Sequence, residues 1–238
     1  MSSKFDSGIV PIHQAWDREP AGVSDWRTMM GGKVGDPAEI DFRDFLAEEH
    51  HRLYGRPWCM GAIYYRFLRR HLAPEMRVLD FGCGAGRLGI HLIRHLAAER
   101  YIGVDVDYRA LRAFADYEIP LHCLEDLRPF LFWDDGSGLD TIDGAFDAIL
   151  DCWATAHMTP ADRLAIYRRF ADRLAPGGRV FSPSRPLLEV AELAECGLRL
   201  ETREHQVHDF LVDRTPKPSH AEVDWHVLVR GIQPAARP

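Results

Sequence analysis

The sequence predicts an α/β fold: a doubly wound, mostly parallel sheet of seven strands, with a C-terminal antiparallel hairpin and a helical N-terminal extension. Three observations predict it. From Met76 onward, short apolar runs alternate with helical patterns, as parallel strands joined by crossover helices require. A glycine-rich turn joins the first of these runs to the first helix. Near the C-terminus, two strand-like stretches follow one another with no helical pattern between them.

Residues 1–37 read as irregular, with Trp16, Trp26 and the Gly31-Gly32 break. Asp41 opens a helix with Phe42, Phe45 and Leu46 on one face, and Gly55 ends it. After Pro57, Met60, Ile63, Tyr64, Phe67 and Leu68 share one helical face, to about Leu72. Residues 1–72 thus form an extension with two helices, whose aromatics Trp16, Trp26, Tyr54 and Trp58 suit either packing of the extension onto the sheet or a lid that orders with ligand. The main domain is predicted over 73–231. Its strands are MRVLDFG, YIGVDV, IPLHCL, FDAILDCW and RVFSP, and its first two helices are RLGIHLIRHLA and YRALRAFADY. A third helix runs from Pro160 to Pro176-Gly177-Gly178. LRLETREHQV and VDWHVLVRGI make the edge hairpin, and 232–238 is a flexible tail.

The 238 residues are 46% hydrophobic and 27% charged, an ordinary globular balance, with a net charge of −7. A duplex-binding protein would carry a basic face, so nucleic acid is not the expected partner. Five cysteines, without a CxxC pair, suggest neither a disulfide framework nor a zinc knuckle. No signal-peptide pattern opens the chain and no stretch reads as a membrane span, so a cytoplasmic protein is expected. His205, His208, His220 and His226 have poor spacing for a shared ion, and no metal is expected.

The sharpest segment is VLDFGCGAGRLG, residues 78–89. A strand ends at Asp80, and Gly82, Gly84 and Gly86 then carry the chain into a helix. Glycine permits both the tight turn and a close ligand approach. A dinucleotide fingerprint would need glycine at position 87, where the chain has Arg87. A second strand ends at Asp105, 21 residues after Gly84, and Asp107 suits the N-cap of the next helix.

DFGCGAG resembles the first motif of the class I, Rossmann-like S-adenosylmethionine-dependent methyltransferases, and LAPGGRVF resembles their lead into the fifth strand. The likeness covers roughly 76–184. It implies that Asp80, Gly82, Cys83, Gly84 and Gly86 flank the methionine part of the cofactor. It also implies that Asp105, with Val106 beside it, meets the ribose hydroxyls. The family often places an acid after the third strand to meet adenine; this chain has Cys123 at the expected aspartate. Leu124 would then pack on adenine and Glu125 would reach its amino group, the alternative being that Glu125 is merely exposed.

Methyl transfer to a hydroxyl needs a proton acceptor, for which imidazole is suited. His157, at the exit of the fourth strand, is the candidate base, and Asp151 the candidate for orienting substrate or cofactor. The alternatives are a histidine bonded to backbone and an aspartate capping a turn. The expected activity is O-methylation of a small-molecule acceptor, with a homodimer as a possible state. N-methylation of a small molecule, a non-catalytic cofactor-binding scaffold and, further off, a nicotinamide-dependent oxidoreductase are the other readings.

Overall fold

The computed structural model describes residues 10–11, 60–183, 188–210 and 219–231. The helix expected over 41–55, the lid aromatics and the C-terminal tail lie outside them. Eight strands form one sheet in the order β1-β4-β3-β2-β5-β6-β8-β7. They are β1 (Val10–Pro11), β2 (Val78–Phe81), β3 (Tyr101–Asp105), β4 (Phe130–Trp133), β5 (Phe146–Asp151), β6 (Leu174–Ser182), β7 (Leu198–Phe210) and β8 (Ser219–Arg230). From β4 to β6 all neighbours are parallel. β8 adds antiparallel to β6, and β7 pairs antiparallel with β8, which is the expected edge hairpin. The expected number of seven is met by β2 to β8, and among the described residues the two-residue β1 adds an eighth, antiparallel to β4 through Val10↔Trp133.

Helices α1 (Ala62–Leu68), α2 (Gly89–His95), α3 (Tyr108–Ala113), α4 (Ile119–Leu121), α5 (Pro160–Arg173) and α6 (Val190–Glu195) cover the sheet. Strand alternation sends Val78, Tyr101, Leu131 and Leu150 to a core shared with α1, α2 and α3. Leu79, Ile102, Phe132 and Ile149 go to a second core with α5 and α6. Both sheet faces are therefore apolar, as a parallel sheet demands. α1 buries Ile63, Tyr64, Phe67 and Leu68, at about 1.5–3 kcal/mol for each large apolar side chain.

Local chemistry sets the helix starts. Asp107 caps α3 by accepting from the Arg109 and Ala110 amides, as expected. Thr159 caps α5 through the Asp162 amide, with Pro160 at the first helical position. α6, for which no helical pattern was expected, opens with a reciprocal Glu189–Glu192 capping box.

Two elements correct the expectation. IPLHCL is not the third strand. Pro120 sits in the first turn of α4, which continues α3 through the wider turn Phe114–Glu118, and the strand is Phe130–Trp133. A short apolar run serves either state, and burial of Ile119 against the α2 side satisfied the helical one. The long helix ends at Arg173, before Pro176-Gly177-Gly178, and β6 already begins at Leu174, paired with Phe146.

Candidate active site

Parallel strands bring their carboxyl ends to one edge, and the strand order reverses direction between β2 and β5, where such sheets bind ligands. Gly82, Gly84 and Gly86 leave β2 with φ of 75°, 54° and 81°, a left-handed run that side chains resist. A Cβ on Gly82 would run into Ala154, and one on Gly86 into the Phe114 ring. On Gly84 it would meet nothing within 4 Å among the described residues, so the smallness of Gly84 is not used for packing against them. That is the feature expected where a ligand approaches backbone.

The acids stand around this loop. Half-buried Asp105 accepts from the Gly84 amide (2.7 Å) and the Asp107 amide (2.8 Å), and burial pushes its carboxyl up to about 6. Asp80, 1% exposed, accepts from the Tyr101 hydroxyl at 2.8 Å, and burial likewise pushes it up to about 6. Cys83 is buried, and its amide, like that of Gly82, donates to Val104 O. Val106 accepts from the Trp133 indole through its carbonyl. Asp80, Gly82, Cys83, Gly84, Gly86, Asp105 and Val106 therefore share one edge.

Leu124 and Glu125 do not join them. Their segment returns to the amino ends of the strands, where the Glu99 amide, just before β3, donates to Leu127 O at 2.9 Å. Leu124 is packed in the core and Glu125 is exposed in a short 3-10 turn. The acid at the carboxyl end of β4 is Asp134, which the sequence reading missed. Its Oδ1 accepts from the Gly136 and Gly138 amides, while its Oδ2 is buried without a partner among the described residues. Asp134 is 1% exposed, and burial raises its carboxyl to about 6. The available signal was that it closes an apolar run, FLFW, as Asp80 and Asp105 close theirs.

After β5 the chain turns through Trp153 into the 3-10 turn Ala154–His157. Asp151, 2% exposed, anchors this turn. It accepts from the Thr155 amide (3.1 Å), the Thr155 hydroxyl (2.5 Å) and the Tyr167 hydroxyl (2.8 Å). Burial raises its carboxyl. Both oxygens are thus committed to protein groups, and the turn-capping alternative is the one realised. His157 ends the turn and is exposed. Trp153 has φ 76°, a conformation costing a bulky residue about 1–2 kcal/mol, and its indole N–H donates to the Tyr64 hydroxyl at 2.9 Å. Arg87 donates to Cys152 O at 3.2 Å, with its guanidinium 5.5 Å from the centre of the Tyr64 ring.

A family model described as a methyltransferase domain matches residues 78–178, the span from β2 through the start of β6. Over residues 78–178 the chain is thus similar to methyltransferase domains. The chain is 26% identical over 144 residues to phosphoethanolamine N-methyltransferase 3 of Arabidopsis thaliana, covering 58% of the chain and 27% of that protein. It is 32% identical over 114 residues to ribosomal protein L11 methyltransferase of Ralstonia pickettii, covering 48% of the chain and 34% of that protein. The chain thus spans about a third or less of the length of these curated relatives. The crystal structure of magnesium protoporphyrin IX methyltransferase from Synechocystis PCC 6803 is similar in fold, with a TM-score of 0.53 at 16% identity. That match covers 89% of this chain and 92% of the other.

Proposed function

We propose that this protein transfers a methyl group from S-adenosylmethionine to a small-molecule acceptor, at a hydroxyl in the first instance. The observation that carries the reading is Gly84: a left-handed glycine with no neighbour for a Cβ among the described residues, bonded to an acid at the end of the next strand. The residues fit the cofactor. Gly82, Cys83, Gly84 and Gly86, over Asp80, hold its methionine end. Asp105 accepts from the ribose hydroxyls, with Val106 beside it. Asp134, whose Oδ2 has no other partner among the described residues, accepts from the adenine amino group in the place first assigned to Glu125.

When bound, S-adenosylmethionine supplies an electrophilic methyl group on a sulfonium. The protein holds the acceptor in line, excludes water and takes up the acceptor's proton. His157 is the base for that proton, exposed at the exit of β5 on the turn that Asp151 fixes. Asp151 positions His157 and does not itself touch the acceptor. The net charge of −7 supports a small acceptor over a nucleic acid.

Calorimetry with S-adenosylmethionine and, separately, NADPH tests the cofactor, and formation of S-adenosylhomocysteine with added acceptors tests transfer. Binding of the first alone, weakened in Asp105→Ala, supports the reading. Binding without turnover of any acceptor leaves a scaffold, and no binding at all removes the reading.

A further inference from the structure

The methyltransferase match begins at residue 78, yet a side chain well before it reaches the donor loop. Tyr64 is 2% exposed and shares the buried face of α1 with Ile63, Phe67 and Leu68, its ring edge-on to Trp225 at 5.5 Å. Phenylalanine would fill that space as well. A buried hydroxyl costs stability unless it is bonded, so the oxygen calls for a use beyond packing. It accepts from the Trp153 indole N–H at 2.9 Å.

Trp153 is where that bond has its effect. Its backbone is left-handed at φ 76°, a conformation that bulky residues keep only where the surroundings impose it. The next residue, Ala154, lies against the donor loop, in the space that a Cβ on Gly82 would take. From its other side the turn is tied by Asp151 through Thr155. Arg87, where the donor loop enters α2, donates to Cys152 O at 3.2 Å and lies over the Tyr64 ring. Its own carbonyl is closed in by the start of α1, where a Cβ on Gly61 would collide with it. Donor loop, β5 turn and α1 thus meet around Tyr64, and glycines at 61 and 82 let them come together.

We infer that the Tyr64 hydroxyl is a positioning group for the donor site: it holds Trp153 left-handed, which sets Ala154 against Gly82 and fixes the donor loop in the shape that takes S-adenosylmethionine. This rests on the methyl-transfer reading above. Tyr64 acts through Trp153 and takes no part in proton transfer. α1 therefore completes the donor site, although it precedes the matched span.

The test uses the full chain, with S-adenosylmethionine and S-adenosylhomocysteine as probes in calorimetry and a ligand-free thermal melt for each variant. Tyr64→Phe and Trp153→Phe remove the two ends of the bond and leave a ring at each place. Each is expected to weaken both probes about fivefold or more, and the double variant no more than either alone, because the two changes break the same bond. Trp153→Gly supplies the left-handed backbone without the indole. It should bind both probes about threefold or more tighter than Trp153→Phe, and adding Tyr64→Phe to it should change affinity less than about twofold. A role in packing alone would lower the melting temperature in both backgrounds and leave affinity unmoved. That result overturns the inference, as does an equal loss from Tyr64→Phe in the Trp153→Gly background, or losses that multiply in the double variant. Each of these leaves the methyltransferase reading intact. Failure of the parent protein to bind either probe removes both. Should Tyr64→Phe not fold, Trp153→Gly binding no more tightly than Trp153→Phe overturns the inference by itself.

Discussion

The amide of Gly84 donates to Oδ2 of Asp105 at 2.7 Å, so the donor loop and the acid at the end of the neighbouring strand hold each other. The other oxygen, Oδ1, takes the amide of Asp107. The carboxylate is oriented from two sides, and under the proposed function a ribose hydroxyl would meet an acceptor already in position.

Asp105→Asn places an amide NH2 against one of those two N–H donors and removes the charge. We expect donor affinity to fall by about 10- to 100-fold, as loss of a charged hydrogen bond of about 1.5–3 kcal/mol implies. Calorimetry measures it. An affinity within twofold of the parent would remove Asp105 from the site.

Gly84→Ala and Gly86→Ala separate binding from folding. Both force alanine into a left-handed backbone, but only at Gly86 does the new methyl meet the Phe114 ring. Gly86→Ala should therefore lose more stability, by a further 1–3 kcal/mol or about 2–10 °C in Tm. Gly84→Ala should fold with the smaller loss and bind S-adenosylmethionine at least tenfold more weakly. Thermal melts with and without the donor distinguish the two. Equal melting temperatures for the pair would contradict the packing argument.

Stability should fall as pH rises toward neutrality because of three acids. Asp80, Asp105 and Asp134 are raised by burial from 3.8 to about 6. Between those values the folded chain binds more protons than the unfolded one, so their contribution is complete below pH 4 and is lost through about pH 6. Donor affinity should run the opposite way, rising through pH 6 as Asp105 ionises. Urea unfolding from pH 4.5 to 7.5 checks the first trend. Asp80→Asn, which keeps an acceptor for Tyr101, should reduce the slope and add about 1–3 kcal/mol at pH 7. An unchanged slope in that variant would exclude Asp80 as a source.

Asp151 and His157 should fail in different ways. Asp151→Ala leaves the hydroxyls of Thr155 and Tyr167 without their acceptor, a loss of about 2–4 kcal/mol that lowers Tm. His157→Ala, on an exposed residue, should leave Tm within about 1 °C and donor affinity unchanged while lowering kcat about 100-fold or more. A full-rate His157→Ala enzyme would move the proton acceptor elsewhere.

The central strands and the donor loop were legible because their signals are local. VLDFGCGAG and YIGVDVD each place an apolar run, an acid and a turn within a few residues. β4 was not legible because another apolar run, IPLHCL, precedes it and reads equally as a strand, whereas it became helix α4 and a turn. With the strand misplaced, the acid was sought at Glu125, and Asp134, at the end of the strand itself, was passed over. Asp151 shows another limit: sequence places it at the right strand end, but only packing reveals that Thr155 and Tyr167 take both its oxygens. No local signal marks Trp153 as left-handed. That geometry comes from Tyr64, on a helix 89 residues away.

These separations also set an order of assembly. The bond between Gly84 and Asp105 closes a loop of 21 residues, whereas those from Arg87 to Cys152 and from Tyr64 to Trp153 span 65 and 89. Chain closure over the longer spans is slower, and during synthesis it must wait for the later residues to emerge. A nascent chain can therefore join Gly84 to Asp105 several seconds before Trp153 emerges to meet Tyr64, at roughly 5–20 residues per second of translation. In that interval the Tyr64 side of α1 lacks its later partners, Trp153 and Trp225.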